Sequence, residues 1–336
     1  MKIPALLPLL LRFVACLLAA GVPAAHGAAG RSDRVQFSGR PYVRLGDWAR
    51  ANEFAVRWLE HGKTLQLSNH VARLLFNVDP RQDSRRAAIN GVEVWLSFPV
   101  RSENGSAYIA QLDLEETLAP VLFPPANPPG LKIKTICLDP GHGGADPGYI
   151  VGANEEKKYT LLLAQEVRDQ LKRAGFNVVL TRATDTKVPL ELRPELARRH
   201  AADLFVSLHF NSAGPQHNEV QGVEVYCLTP AGAFSTNAGG EGDTRECAGN
   251  RHNEKNLLLA YQIQKSISKA LPVEDRGVKR ARYEVLREAA MPAILIEGGF
   301  MSNPAEGRRI FDPAYRRQMA RTIVDGILSY QRIVKG

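Results

Sequence analysis

The sequence predicts an α/β fold over residues 131–336, with a mostly parallel or mixed sheet flanked by helices, preceded by a small α+β unit at residues 31–119. Strand-like and helix-like segments alternate in the second unit, as in sheets whose strands are joined by helices. In the first unit, short alternating apolar segments are separated by turn signals such as Asn90-Gly91. Five prolines within residues 120–130 predict a stiff linker between the two units.

Residues 1–29 have the pattern of a secretory signal peptide. Lys2 precedes an apolar run that Arg12 interrupts, and small residues follow up to Ala29. The apolar run after Arg12 is too short to cross a bilayer core about 30 Å thick. We therefore expect an exported protein, in the periplasm rather than outside the cell, since no wall-anchoring repeat or sorting signal of the Gram-positive type is present.

Composition and charge restrict the classes of partner. The chain is 44% hydrophobic and 23% charged, with a formal net charge of +8, which is typical of a basic globular protein. Such a charge favours anionic polymers or membrane surfaces. Nucleic acid is not an expected partner, because export is predicted and no recognition motif is found. We expect a monomer.

The cysteines leave one structural question open. Cys227 and Cys247 flank a glycine-rich segment of an exported chain, so a disulfide between them and two free thiols are about equally expected. No Cys-x-x-Cys pair occurs, which argues against a zinc site built from cysteines.

The first unit contains a faint internal repeat. Residues 42–47 recur loosely at 108–113, and each copy leads into a helix-like stretch. Strands are predicted at 64–67 and 92–96 between the copies.

The second unit gives a longer series of elements. The predicted order is strand 133–138, helix 156–174, strand 177–180, helix 190–201, strands 204–208 and 222–228, helix 256–270, strand 293–296 and helix 313–334. Sheets of this kind carry their chemistry outside the carboxyl ends of the strands.

Three of these strands run directly into polar residues. His142 follows the first strand, His209 follows the strand at 204–208, and Glu297 follows the strand at 293–296. Glu156 opens the helix after the first of these loops and can reach the same edge of the sheet. Two histidines and one carboxylate form a three-ligand Zn²⁺ site with an open position for water, and a second carboxylate can act as its base. This division makes His142, Glu156 and His209 the ligands and Glu297 the acid/base.

Each of these residues taken alone has a structural alternative. Glu156, for example, could be a helix-start carboxylate stabilised by the helix dipole. The neighbouring glycines favour a site instead, because they allow close backbone approach around His142 and after Glu297.

The motifs of the second unit resemble those of the zinc-dependent N-acetylmuramoyl-L-alanine amidases of the amidase type 3 family. They are LDPGHGGADPG, the EKKYTL helix start, VVLTRATDT, ADLFVSLHFNS, GVEVY, DRGVKRARYEVLR and PAILIEGGFMSNPAE, in the family's order. The resemblance implies that His142, Glu156 and His209 bind zinc, and that Glu297 is the catalytic acid/base. It also implies cleavage of the amide between the muramic acid lactyl group and L-alanine in peptidoglycan. Glu156 is preferred to Glu155 because it fits the family's E-K-x-x-x-L pattern.

The first unit resembles the domain named after the N-terminal region of copper amine oxidases, which implies binding of wall polymer or of a protein. In the second unit, residues 229–254 form a longer segment than a minimal family member needs. Some relatives carry an insertion here that covers the zinc until an activator protein displaces it. The glycines favour a mobile loop, and both interpretations stay open.

Further residues have less specific expectations. Asn211 is expected to orient a ligand. Four cations are expected either to bind carboxylates of the stem peptide or to neutralise buried charge: Arg182, Arg193, Arg276 and Lys279. Two other functions remain as alternatives, an inactive peptidoglycan-binding protein and a zinc peptidase that acts within the stem peptide.

Overall fold

The computed structural model describes residues 34–214 and 218–335, so the predicted signal peptide at 1–29 lies outside the described residues. The elements of the first unit are β1 (Arg34–Phe37), β2 (Arg40–Arg44), α1 (Leu45–Ala51), β3 (Ala55–Glu60), β4 (Thr64–Ser68), β5 (Arg73–Asn77), β6 (Arg86–Ile89), β7 (Val92–Trp95), β8 (Arg101–Glu103), β9 (Ser106–Ala110), α2 (Gln111–Asp113), a π-helical turn (Leu114–Leu118) and α3 (Ala119–Leu122).

The second unit begins with the central strand of the predicted site. Its elements are β10 (Thr135–Pro140), β11 (Ile150–Val151), β12 (Asn154–Glu155), α4 (Glu156–Arg173), β13 (Asn177–Leu180), α5 (Leu192–Arg199), β14 (Leu204–Asn211), β15 (Val223–Leu228), a 3-10 turn (Ala248–His252), α6 (Asn253–Ala270), β16 (Asp275–Ala281), α7 (Glu284–Arg287), β17 (Ala293–Phe300), α8 (Pro304–Phe311) and α9 (Pro313–Val334).

Among the described residues, eleven strands form one mixed sheet that runs through both units, in the order β13-β10-β14-β17-β15-β16-β7-β6-β5-β4-β3. Strands β13, β10, β14 and β17 are parallel neighbours, whereas β15 runs antiparallel to β17. Helices α4, α6 and α9 pack on one face, and α5 and α7 pack on the other. The predicted α/β class with flanking helices is confirmed.

Strands β7 and β16 join the two units in parallel, with Val278 opposite Val94. The indole of Trp95 donates to the backbone oxygen of Arg276 at 3.1 Å. Gly277 has a positive φ of 85°, and a Cβ there would lie 2.8 Å from the backbone oxygen of Glu93. Only glycine lets the two backbones approach this closely.

The internal repeat of the first unit has a structural counterpart. Both β2 and β9 lead directly into a helix, and they pair antiparallel in a four-stranded sheet with Tyr42 opposite Ala110. The linker prediction stays untested as a domain boundary, but α3 extends into it, because Pro120 occupies a first-turn position that proline tolerates.

A disulfide between Cys227 and Cys247 is not formed, and both residues are free thiols. Cys227 is fully buried in β15 and packs with the cluster on the α4, α6 and α9 face. Cys247 packs against the cluster on the opposite face. The two thiols therefore pack with different clusters, on opposite faces of the sheet.

No helix in the described part of the chain combines the length and the apolar character that a membrane crossing requires.

Candidate active site

The four residues predicted from strand ends and a helix start come together at one edge of the sheet. His142 follows β10, His209 lies near the end of β14, Glu297 lies on β17 and Glu156 opens α4. Because β10, β14 and β17 are parallel, their carboxyl ends meet at this edge. All four side chains line a cavity of about 400 Å³.

The rings of His142 and His209 both contact the same carboxylate oxygen of Glu156. Glu156 Oε1 lies 3.1 Å from His142 Nε2 and 3.1 Å from His209 Nδ1. The two imidazole rings are edge-to-face with centroids 4.9 Å apart. One ligand atom from each residue lies within 4.8 Å of the others, so the group can hold a metal ion.

The backbone fixes the Glu156 carboxylate. The amide of Phe210 donates to Oε1 at 3.1 Å, and the amide of Tyr149 donates to Oε2 at 3.0 Å. Burial alone would raise the pKa of Glu156, but hydrogen bonds and charge from the two histidines lower it well below its ordinary value. The carboxylate therefore stays ionised, as a metal ligand must.

His142 is held by a residue that sequence reasoning missed. Asp146 Oδ2 lies 2.9 Å from His142 Nδ1, and the other ring nitrogen faces Glu156. Burial opposes protonation of His142, but the two carboxylates outweigh it and raise the pKa of the ring. A carboxylate on the second nitrogen orients a metal-binding histidine. The sequence signal that could have revealed Asp146 is its spacing of four residues from His142 within one loop.

Glu297 has a different environment from Glu156. Its Oε2 is buried with no hydrogen-bond partner among the described residues. Burial raises the pKa of Glu297 well above its ordinary value, and the charges of Glu156 and Glu224 act in the same direction. A carboxyl with a raised pKa and a free oxygen in a cavity is suited to proton transfer.

Two of the expected cations support the loop that carries His142. Arg193 Nη1 donates to Asp139 Oδ1 at 2.8 Å, and its Nη2 donates to the backbone oxygen of His142 at 3.0 Å. Arg182 Nη2 donates to the backbone oxygen of Gly141 at 2.8 Å. Both arginines are buried. Arg193 neutralises the buried charge of Asp139, and both arginines hold the backbone of the loop that carries His142.

The other two cations surround a carboxylate beside the cavity. Arg276 Nε and Lys279 Nζ each donate to Glu224 Oε1 at 2.6 Å. Asn211 Nδ2 lies 3.3 Å from Glu224 Oε2. The amide of Asn211 therefore contacts Glu224 rather than one of the three clustered ligand residues. Glu224 was missed because it lies inside a buried strand.

Backbone geometry around His142 is specialised. His142 has a φ of 60°, which non-glycine residues rarely adopt and which is common at functional sites. A Cβ on Gly141 would lie 2.2 Å from Cε1 of His209. Position 141 therefore requires glycine, because the backbone before His142 passes very close to the ring of His209.

Residues 229–254 were considered above as a possible cover of the site, so their position relative to the cavity matters. Within the described part of the chain, none of the residues that line the cavity comes from this segment.

Comparisons with known proteins identify the family of the chain. The model of the N-acetylmuramoyl-L-alanine amidase family (Amidase_3) matches residues 136–329. N-acetylmuramoyl-L-alanine amidase AmiA of Escherichia coli is 34% identical over 67% of this chain and 85% of its own length.

Solved structures show the same fold. An N-acetylmuramoyl-L-alanine amidase from Clostridium difficile 630 is 33% identical with a TM-score of 0.51, covering 60% of this chain and 97% of that one. The CwlD amidase from Clostridioides difficile, in complex with the GerS lipoprotein, is 25% identical with a TM-score of 0.50 and covers 60% of this chain and 99% of that one. The chain therefore belongs to the N-acetylmuramoyl-L-alanine amidase family.

Proposed function

We propose that the chain is an exported, zinc-dependent peptidoglycan hydrolase that cleaves the amide between the lactyl group of N-acetylmuramic acid and L-alanine of the stem peptide. One observation carries the proposal. In a chain of this family, His142, Glu156 and His209 cluster in one cavity beside Glu297, whose Oε2 has no hydrogen-bond partner among the described residues.

The donor atoms fit Zn²⁺. Two imidazole nitrogens and one ionised carboxylate oxygen are the ligand set of many catalytic zinc sites. Bound zinc would polarise the scissile carbonyl and lower the pKa of a water from 15.7 to about 7. Asp146 and the amides of Tyr149 and Phe210 keep the ligand side chains in place.

Glu297 carries the proton in this mechanism. Its free Oε2 accepts a proton from the attacking water and then gives it to the leaving nitrogen of L-alanine. The raised pKa of Glu297 suits both steps, because a group that takes up and returns a proton works best when its pKa lies near the operating pH. No serine or cysteine nucleophile is needed.

The test is digestion of purified peptidoglycan by the exported chain with zinc supplied. Mass spectrometry should find intact stem peptides that begin with L-alanine, and release should stop on chelation. Glu297→Gln should lower the rate about 10²- to 10⁴-fold. Glu288→Gln, at an exposed position nearby, is the matched control and should keep full activity.

Two other outcomes would replace the proposal. Peptides cut between stem residues would identify a zinc peptidase. Binding to peptidoglycan without any release by the zinc-loaded chain would identify an inactive binding protein. Export to the periplasm, a monomeric state and the need for an activator protein stay predictions beside this function.

A further inference from the structure

A second cavity lies between the first unit and the segment that follows β15. It has a volume of about 380 Å³, within the range of small-ligand sites. Its walls come from the β1–β2 turn, from the stretch between β7 and β8, and from the glycine-rich segment. The lining residues are Phe37, Ser38, Arg40, Tyr42, Arg85, Ser97, Phe98, Pro99, Arg101, Phe234, Gly239 and Gly240.

This cavity combines aromatic rings with arginines and lacks acidic lining residues. Phe37 packs edge-to-face on Tyr42, with ring centroids 5.1 Å apart. Phe234 belongs to the second unit and is partly accessible. Planar apolar surfaces of this kind suit the face of a sugar ring, and guanidinium groups suit carboxylates and phosphates.

The three arginines differ in their pairing. Arg85 is already engaged, with Asp83 as its ion-pair partner at 2.6 Å and the backbone oxygen of Thr236 at 3.1 Å. Arg40 lies over the ring of Phe98, 4.4 Å from its centroid. Neither Arg40 nor Arg101 has an ion-pair partner among residues 34–214 and 218–335. Two guanidinium groups that make no ion pair with a described residue therefore line one cavity.

The glycine-rich wall is tied to both units. The bond from Arg85 to Thr236 fixes it to the first unit, and Asn237 Nδ2 donates to the hydroxyl of Tyr226 in β15 at 3.1 Å. The cavity shares no lining residue with the cavity that contains His142 and Glu297. It is a separate site whose shape depends on the junction of the two units.

We propose that this cavity is an accessory site for an anionic segment of cell-wall polymer. A carboxylate or phosphate pairs with Arg40 and Arg101, while an adjacent sugar ring packs against Phe37 and Phe234. The choice of a wall polymer rests on the proposed function. The aromatic walls, and the lack of ion-pair partners for Arg40 and Arg101 among the described residues, are observations that do not depend on it.

The test measures binding by the full exported chain carrying Glu297→Gln. This substitution makes hydrolysis too slow to consume the ligand during the measurement. Arg40→Gln with Arg101→Gln should weaken binding to purified peptidoglycan at least about tenfold. The control is Arg57→Gln with Arg73→Gln, which removes the same charge from exposed positions elsewhere in the first unit and should leave the dissociation constant unchanged. Equal binding by the two double variants would overturn the proposal.

Two soluble probes separate the sources of the anion. Muropeptides with free carboxylates, compared with amidated muropeptides, test a stem-peptide carboxylate, and a polyglycerol phosphate tests a phosphate polymer. Phe234→Ala should weaken whichever probe binds, without removing any charge. If neither probe responds to the arginine or the phenylalanine changes, the site does not bind wall anions.

Hydrolysis separates this proposal from the proposed function. With Glu297 intact, the Arg40 and Arg101 double variant should cleave a soluble muropeptide at the rate of the unmodified chain, because neither arginine lines the catalytic cavity. Failure of the unmodified chain to cleave would sink the proposed function alone. Loss of cleavage by the double variant would show that the arginines act on the catalytic site and would overturn the separate-site proposal.

Discussion

Glu224 on β15 lies directly opposite Glu297 on β17, yet the two carboxyls have opposite environments. Burial would raise the pKa of Glu224, but Lys279 and Arg276 outweigh it and lower that pKa. The pKa of Glu297 is raised. Two neighbouring carboxyls whose pKa values are driven apart are typical of sites that divide charge stabilisation from proton transfer.

Glu224→Gln should destabilise the protein by about 3 kcal/mol, as measured by urea unfolding. Only 2% of the Glu224 side chain and 5% of the Lys279 side chain are exposed, so the substitution leaves a buried ammonium without its counter-charge. Glu274→Gln is the control, since that residue is half exposed and lies 3.7 Å from Arg276. It should change stability by less than about 0.5 kcal/mol, and equal effects would contradict the prediction.

Asp146→Ala should weaken zinc binding about 10- to 100-fold, measured by competition with a chromogenic chelator. The substitution removes the carboxylate that orients the His142 ring. Asp169→Ala, on an exposed face of α4, should leave zinc affinity unchanged. A variant at Asp146 that binds zinc as tightly as the parent would show that the loop backbone alone positions His142.

Gly141→Ala should abolish zinc binding while the chain stays folded. The added methyl would occupy the space of the His209 ring, which must move away from Glu156. Gly46→Ala is a suitable control, because nothing lies within 4 Å of a Cβ at that position. Circular dichroism checks the fold and metal analysis checks occupancy. Full zinc occupancy in the Gly141 variant would rule out this steric account.

A chain that lacks residues 1–29 should contain three free thiols. Alkylation under denaturing conditions without a reductant should add three labels, one each to Cys137, Cys227 and Cys247. In the folded protein Cys137 and Cys227 should react after Cys247, because burial raises the pKa of both thiols and excludes the reagent. A single label under denaturing conditions would instead indicate a disulfide.

Strand periodicity predicted that three of the candidate residues would meet at one edge of the sheet. His142, His209 and Glu297 each follow or end an apolar run, and parallel strands bring such positions to one edge. The helix that begins at Glu156 was predicted because its apolar residues repeat with helical spacing. These are local patterns, and they suffice because the sheet is mostly parallel around the site.

Contacts that depend on buried charge were not predictable in the same way. Strand β16 has the sequence DRGVKRA, which reads as a polar loop, but its Lys279 is paired with Glu224 from β15. Arg280 is likewise buried, and it donates to the backbone oxygen of Glu116 in the first unit. Partners this distant in sequence leave no periodic signal, so neither β16 nor its junction with β7 was predicted.

The parallel pairing of β7 with β16 has a mechanical consequence. Hydrogen bonds and a common hydrophobic core connect the two units at this pair of strands. The first unit is therefore not free to reorient about residues 120–130. A chain that begins at residue 131 would lack β7, so β16 would become an exposed edge strand. Exposed edge strands promote aggregation. A ligand bound to the first unit would therefore be held at a fixed distance and orientation relative to the catalytic cavity.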